Sequence, residues 1–247
     1  MRGDAPFAIN PALDEDWVTA RFAKAGRVQI GAFLEPAGAE QLRGALIAEA
    51  RWRLVIHGGA QVFEIARAAY DALADGERAA IEAAIHAAAR SGFQFRYETI
   101  RVPDDEATRA KSANMIDAFA RFIASDEVLG FVRRVTGKAG VVFADAQATR
   151  YVAGDFLSGH DDVVAGKNRS LAYVLGLTDG WNADWGGLLQ FHGDSSSGGV
   201  GISETFVPQF NALSLFAVGQ RHSVSMVAPF AGEARLAVTG WFRTSRG

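Results

Sequence analysis

YVAGDFLSGHDD, residues 151–162, is the stretch around which the rest of the chain makes sense. It closes on His160, Asp161 and Asp162. On extended backbone, residues two apart point to the same side with Cα atoms about 6–7 Å apart, while the residue between them points away. His160 and Asp162 can therefore converge on one small cation, and Asp161 is turned from it. A third candidate ligand, His222, lies in RHSVSMV (221–227), and thirteen positions later a lone arginine, Arg235, lies in EARLAVTGWF (233–242). A single His-x-Asp occurs often by chance. The ordered set of His-x-Asp, distal His and Arg among β-type segments is far more specific.

The surroundings of that stretch are β in texture. Segments 141–151, 170–178, 187–191, 211–218, 223–227 and 235–242 are short and β-like, with Gly, Asp, Asn or Pro between them. Such a run predicts a sandwich or barrel of the jelly-roll kind. The glycine-rich piece 193–201 reads as a surface loop or as a lip of the site.

Ahead of residue 140 the chain reads mostly as helix. Helices are expected over 11–25 with Gly26 as stop, from Pro36 to about residue 50, over 66–73, and over 77–90 with Asp75 as cap. Two more follow over 115–123 and 126–136, with Ser125 as N-cap and Gly137 as stop. Strands are expected over 27–34, 51–56 and 93–102, the last with Phe93, Phe95 and Tyr97 on one face; the start at Val62 is either strand or helix. Residues 103–112 form a polar connection. No Pro/Ser-rich linker separates the halves. The expectation is a single domain over 1–247, α+β with a mostly β core, in which a helix-rich part (1–139) packs on one sheet of a jelly-roll core (140–247) that holds the metal site.

At 49% hydrophobic and 21% charged, the 247 residues suffice for a sizeable core. A formal charge of −3 gives no reason to expect direct nucleic-acid binding. Cysteine is absent, which rules out disulfides and thiolate chemistry and suits a reducing compartment. The first residues lack a secretory signal, and no apolar run reaches the ~20 residues that cross a bilayer. A cytoplasmic protein without a membrane partner is expected.

Two imidazoles and one carboxylate on one face of a metal, with other positions open, suit non-haem ferrous iron. Of the remaining histidines, His57 before Gly58-Gly59 reads as a solvated turn residue, and His86, amid alanines, as a surface position. His192 at the end of GGLLQFH is a weak substrate-contact candidate.

With these residues in place, the chain from about 141 onward resembles the iron- and 2-oxoglutarate-dependent oxygenases, in their prolyl-hydroxylase branch. The matching pieces are YVAGDFLSGHDD, RSLAYVLGLTDGW, WGGLLQF, PQFNALSLF, RHSVSMV and RLAVTGWF, nearest to the ribosomal-protein prolyl hydroxylases and their bacterial relatives. The resemblance implies a double-stranded β-helix in which His160, Asp162 and His222 hold Fe(II). It implies 2-oxoglutarate as co-substrate, its far carboxylate on Arg235 and a hydrogen bond from Tyr151, with ascorbate admitted as reductant. A guanidinium suits that task, since its fork meets a carboxylate bidentately and stays charged when desolvated. The carboxylate at Asp162 separates the chain from related halogenases, which vacate that position. One departure stands out: where the family carries a tyrosine before the leucine of the segment matching VLGL, this chain has Gly176.

The activity implied is dioxygen-dependent hydroxylation, coupled to conversion of 2-oxoglutarate to succinate, of a prolyl residue in a protein or peptide. A free amino acid or small metabolite is the alternative within that chemistry. A non-catalytic jelly-roll binding module is the alternative outside it. The connection 103–112 is either a lid over the target chain or a plain connection.

Overall fold

In the computed structural model, residues 6–59, 61–111, 114–193 and 201–245 are described. The order of elements is α1 (Glu15–Ala25), β1 (Arg27–Ile30), α2 (Pro36–Ala48), β2 (Arg53–His57), β3 (Val62–Ala66), α3 (Arg67–Asp71), α4 (Asp75–Ala89) and β4 (Phe95–Arg101). Then follow α5 (Glu106–Ala110), α6 (Met115–Ile123), α7 (Asp126–Thr136), β5 (Phe143–Ala144), β6 (Gln147–Tyr151) and β7 (Phe156–His160). The last elements are β8 (Arg169–Gly176), β9 (Leu189–His192), β10 (Ile202–Phe206), β11 (Ala212–Ala217), β12 (His222–Val224) and β13 (Arg235–Arg243).

The strands join in one antiparallel path, β1-β11-β8-β13-β6-β4-β7-β12-β9-β10. Strand β4 turns the corner: its second half pairs with β6, its first residues, Phe95 and Arg96, with β7. Folding the path at β4 lets β6 and β7, joined by one short turn, belong to two walls. This is the expected jelly roll. The hairpin β2–β3 extends the β4 side, so Val62 opens a strand.

Local signals explain most helix ends. Asp14 accepts from Trp17 N at 2.9 Å, and Gly26 closes α1 in the left-handed region. Ser125 caps α7 and left-handed Gly137 ends it. In α4 the expected cap differs: Ala74 is the N-cap, Asp75 is already helical, and the Glu77 carboxylate accepts from Ala74 N at 2.9 Å. Helices α1, α2, α6 and α7 cover one sheet face through Phe22, Leu42, Phe119 and Phe131, packed with Leu171, Leu175, Leu215 and Val238. The short pair α3 and α4 covers another region, with Tyr70 and Ile85 packed on Leu54, Ile56 and Phe156. Burying Leu- and Phe-sized side chains contributes about 1.5–3 kcal/mol each, so the helices hold the sheet rigid behind the site. Of the glycine-rich piece, 194–200 lies outside the described residues.

A candidate metal and anion site

Two cross-strand pairs build the site. On antiparallel strands, directly opposed residues place their Cβ atoms about 4.5–5.5 Å apart on one face. His222 of β12 sits opposite His160 of β7, and their ring centroids are 4.1 Å apart. Arg235 of β13 sits opposite Tyr151 of β6, with its guanidinium carbon 5.0 Å from the tyrosine ring centre. The turn linking β6 to β7 brings the pairs together. Gly154 takes a φ of +85° there, and Asp155 accepts from Val152 N at 2.9 Å while pairing, fully buried, with Arg96 of β4. The Gly-Asp of the opening motif thus shapes the turn.

Each imidazole is oriented by its backbone. Nδ1 of His160 lies 3.0 Å from Ser158 O, and Nδ1 of His222 lies 2.8 Å from Gln220 O. A carbonyl only accepts, so Nδ1 carries the hydrogen and Nε2 presents a lone pair. Both Nε2 atoms face Asp162, at 3.5 Å and 3.4 Å from its two carboxylate oxygens. Ligand atoms each about 2.1 Å from one ion and at right angles lie about 3 Å apart, so a small shift seats a cation. The three residues form a group that could hold a metal ion. Burial, with His160 adding to it, pushes the His222 pKa down to about 4, so this imidazole is neutral and able to ligate at pH 7. Burial raises the Asp162 carboxyl, but the neighbouring His160 and His222 side chains outweigh it, leaving the pKa below the usual value.

Asp162 reaches this position by a route the alternation argument did not contain. Strand β7 ends at His160, and Asp162 is left-handed, with a φ of +64°. Asp161 turns away to accept from Val163 N at 3.0 Å, and its carbonyl accepts from Gly219 N at 2.9 Å. A non-glycine residue at such a φ costs of order 1–3 kcal/mol and persists where its surroundings over-determine it. Arg169 helps: its guanidinium lies 3.4 Å over the Trp241 ring and 3.4 Å from the Asp162 carbonyl.

His160, Asp162, His222, Tyr151 and Arg235 all line one cavity of about 520 Å³. The Arg235 side chain is buried, and among the described residues its guanidinium has no carboxylate or hydrogen-bond partner. Burial alone pushes its pKa down, and only the Tyr151 ring's influence opposes that. A desolvated unpaired cation facing a cavity is a site for an anion. Burial also raises the Tyr151 pKa, so its hydroxyl stays protonated and can donate. Tyr97 stacks on the far side of Tyr151 at 5.2 Å and 12°. Phe93 and Phe95 line the cavity with it, as their shared face predicts.

Two sequence expectations change, those for His57 and His192. His57 is half-buried against Phe93 and Phe95, with ring centroids at 5.2 and 5.5 Å, instead of solvated. His192 does not line the cavity; its Nε2 lies 2.9 Å from Ser223 Oγ. The described part of 103–112 does not line it either: Asp104 pairs with Arg243 at 3.2 Å, at the opposite end of β13 from Arg235. Two alternate positions of β13, Thr239 and Trp241, do line it, on the face shared with Arg235. At Gly176 no tyrosine is accommodated, because a Cβ there would meet Gln209 O at 2.3 Å. Tyr173 points elsewhere, donating to Asp145 O at 2.8 Å.

Comparison with known proteins agrees with this geometry. Residues 146–243 match the family model of the 2OG-Fe(II) oxygenase superfamily. This segment is similar to a 2OG-Fe(II) oxygenase domain. The domain is 30% identical over 107 residues to prolyl 3-hydroxylase sudestada1 of Drosophila melanogaster, covering 40% of this chain and 20% of that one. It is 33% identical over 101 residues to prolyl 3-hydroxylase OGFOD1 of Mus musculus, covering 40% and 18%. The chain thus spans about a fifth of the length of these curated relatives. Solved structures share its fold. They include a prolyl-4-hydroxylase of Pseudomonas putida (TM-score 0.55, 22% identity, 93% of this chain and 98% of that one). A prolyl hydroxylase of Trichoplax adhaerens, in complex with a hypoxia inducible factor peptide fragment, also matches (TM-score 0.56, 16% identity, 93% and 89%). The double-stranded β-helix expected for the oxygenase domain is therefore present, with a triad and a buried arginine that fit Fe(II) and 2-oxoglutarate.

Proposed function

We propose that the protein is an Fe(II)- and 2-oxoglutarate-dependent dioxygenase that hydroxylates a prolyl residue of a protein or peptide. The observation that carries the reading is the shared cavity: three convergent ligand atoms and one unpaired buried guanidinium on its walls. The prolyl target is supported by the two prolyl 3-hydroxylases among the relatives.

His160, Asp162 and His222 would hold the metal through Nε2, a carboxylate oxygen and Nε2. Iron bound there would let dioxygen, with 2-oxoglutarate as the co-oxidised partner, supply the oxidising power for hydroxylating an unactivated C–H bond, which no side chain offers. Arg235 would grip the far carboxylate of 2-oxoglutarate, with the Tyr151 hydroxyl as a further donor. The Tyr97–Tyr151 stack holds the arginine in place from behind. Phe93, Phe95, Leu157, Val224 and Phe216 give the cavity apolar walls, which limit water around the reacting bond.

The test is incubation of the iron-loaded protein with 2-oxoglutarate, oxygen and proline-containing peptides, following succinate and a one-oxygen mass gain on the peptide. Succinate with the mass gain is expected. Mass gain on free proline and on no peptide would replace the polypeptide with a small substrate. Absence of both products with every substrate would overturn the oxygenase reading.

A further inference from the structure

Eleven large apolar side chains are exposed among the described residues, and four of them, Val62, Phe93, Val163 and Val164, line the cavity that holds the candidate site. Their exposures, 49, 43, 63 and 48%, are high for side chains that gain nothing from water. Scattered exposed apolar residues need no explanation, but a cluster rimming a cleft marks a contact surface. The rim comes from two segments: the β2–β3 hairpin with the approach to β4, and the turn after His160. It is continuous with the metal group, because the Phe93 ring centre lies 5.6 Å from that of His160, and 5.6 and 5.2 Å from those of Phe95 and His57.

The charged groups of this cavity face the proposed metal and co-substrate or are held within the protein. Asp162, His160 and His222 face one another, and Arg235 lies buried beside Tyr151. Arg169 lies over Trp241, and Asp161 caps Val163 N. What the rim offers an incoming substrate is apolar.

We propose that this rim reads the neighbours of the target residue: the preferred substrate is an extended polypeptide with apolar side chains directly beside the proline. The inference rests on the prolyl-hydroxylase reading above and narrows it. In an extended or polyproline-type chain each residue advances about 3.1–3.4 Å, so residues next to a proline held beside the metal reach past the wall to the rim. A free amino acid would leave the rim bare. Proline-rich chains characteristically dock in aromatic-lined grooves, and Phe93, Phe95 and Tyr97 form such a wall of this cavity.

The experiment compares two peptides that differ only beside one central proline, Leu-Pro-Leu against Asp-Pro-Asp, with the full chain, Fe(II), 2-oxoglutarate and oxygen. Wild type should favour the apolar-flanked peptide at least tenfold in kcat/KM for peptide hydroxylation. Phe93→Asp and Val164→Asp should each reduce that ratio to below threefold, and Phe93→Leu should retain it. Anisotropy of the same peptides, labelled, on the protein without iron should show the same order of binding. Equal hydroxylation of both peptides by wild type, or a ratio unmoved by either aspartate, overturns the rim while leaving the prolyl hydroxylase standing. Hydroxylation of neither peptide, with free proline hydroxylated, overturns the rim together with the polypeptide reading on which it rests.

Discussion

At the scale of single residues, the site depends on four side chains with distinct tasks. His160→Ala, Asp162→Ala and His222→Ala should each abolish succinate formation and weaken metal binding while far-ultraviolet circular dichroism stays native. Near-normal succinate from any one would remove that residue from the ligand set. Arg235→Ala should raise the 2-oxoglutarate requirement a hundredfold or more, since losing one partner of a desolvated charge pair costs on the order of 3–5 kcal/mol. A change under fivefold in the apparent affinity would place the far carboxylate elsewhere. His222 also makes a pH prediction. Its pKa falls from 6.5 to about 4 on folding, so between those values the unfolded chain binds the proton and the folded chain does not. Stability of the metal-free protein should therefore drop as pH falls through that window, by about 3 kcal/mol from this group. Urea midpoints at pH 7 and pH 4.5 measure it, and His222→Asn should flatten the difference.

At the scale of elements, the segment over 103–111, which carries α5, is tied to the end of β13 away from the cavity. Asp104 ties it to Arg243, and Arg109 lies against Phe143. Shortening it within 104–110 should lower the melting temperature yet leave succinate and hydroxylated product in step. Uncoupling of the two would return the segment to the site. Strand β8 makes the complementary point. Gly176→Ala should destabilise by about 1–3 kcal/mol through overpacking against Gln209, measurable by urea unfolding. Restoring the family tyrosine at this position is barred by backbone. Elements with strong local signals were legible in advance: α6 and α7 run over 115–123 and 126–136 as their periodicity and caps predict. Strand β7 has no strong strand signal of its own, because its composition, FLSGH, lacks β-branched residues and the pairing with β4 and β12 supplies what propensity lacks.

For the whole molecule, the proposed ion and co-substrate would bridge residues that belong to separate strands of one folded sheet. Their binding should stabilise only the native chain. At a hundred times its dissociation constant each ligand adds about 2.7 kcal/mol, and in a chain of this size each kcal/mol moves the melting temperature about 2–4 °C. Anaerobic thermal unfolding with Fe(II) and then 2-oxoglutarate should show two successive rises, the second absent in Arg235→Ala. Among the described residues no helix is long and apolar enough to cross a membrane.

The order of His160, Asp162, His222 and Arg235, the helix caps at Ser125 and Gly137, and the change to short β segments near residue 140 were all determined by the sequence, because each is a local pattern of spacing and residue type. The tertiary structure decided what spacing cannot carry. The register that opposes His222 to His160, sixty-two positions away, comes from β12 pairing with β7. The left-handed backbone at Asp162 comes from neighbours such as Arg169 and Gly219. The aromatic wall joins His57 to Phe93 only because the β2–β3 hairpin lies beside β4. Contacts between distant segments arise from packing of whole elements against each other, and a linear reading sees each of those segments alone.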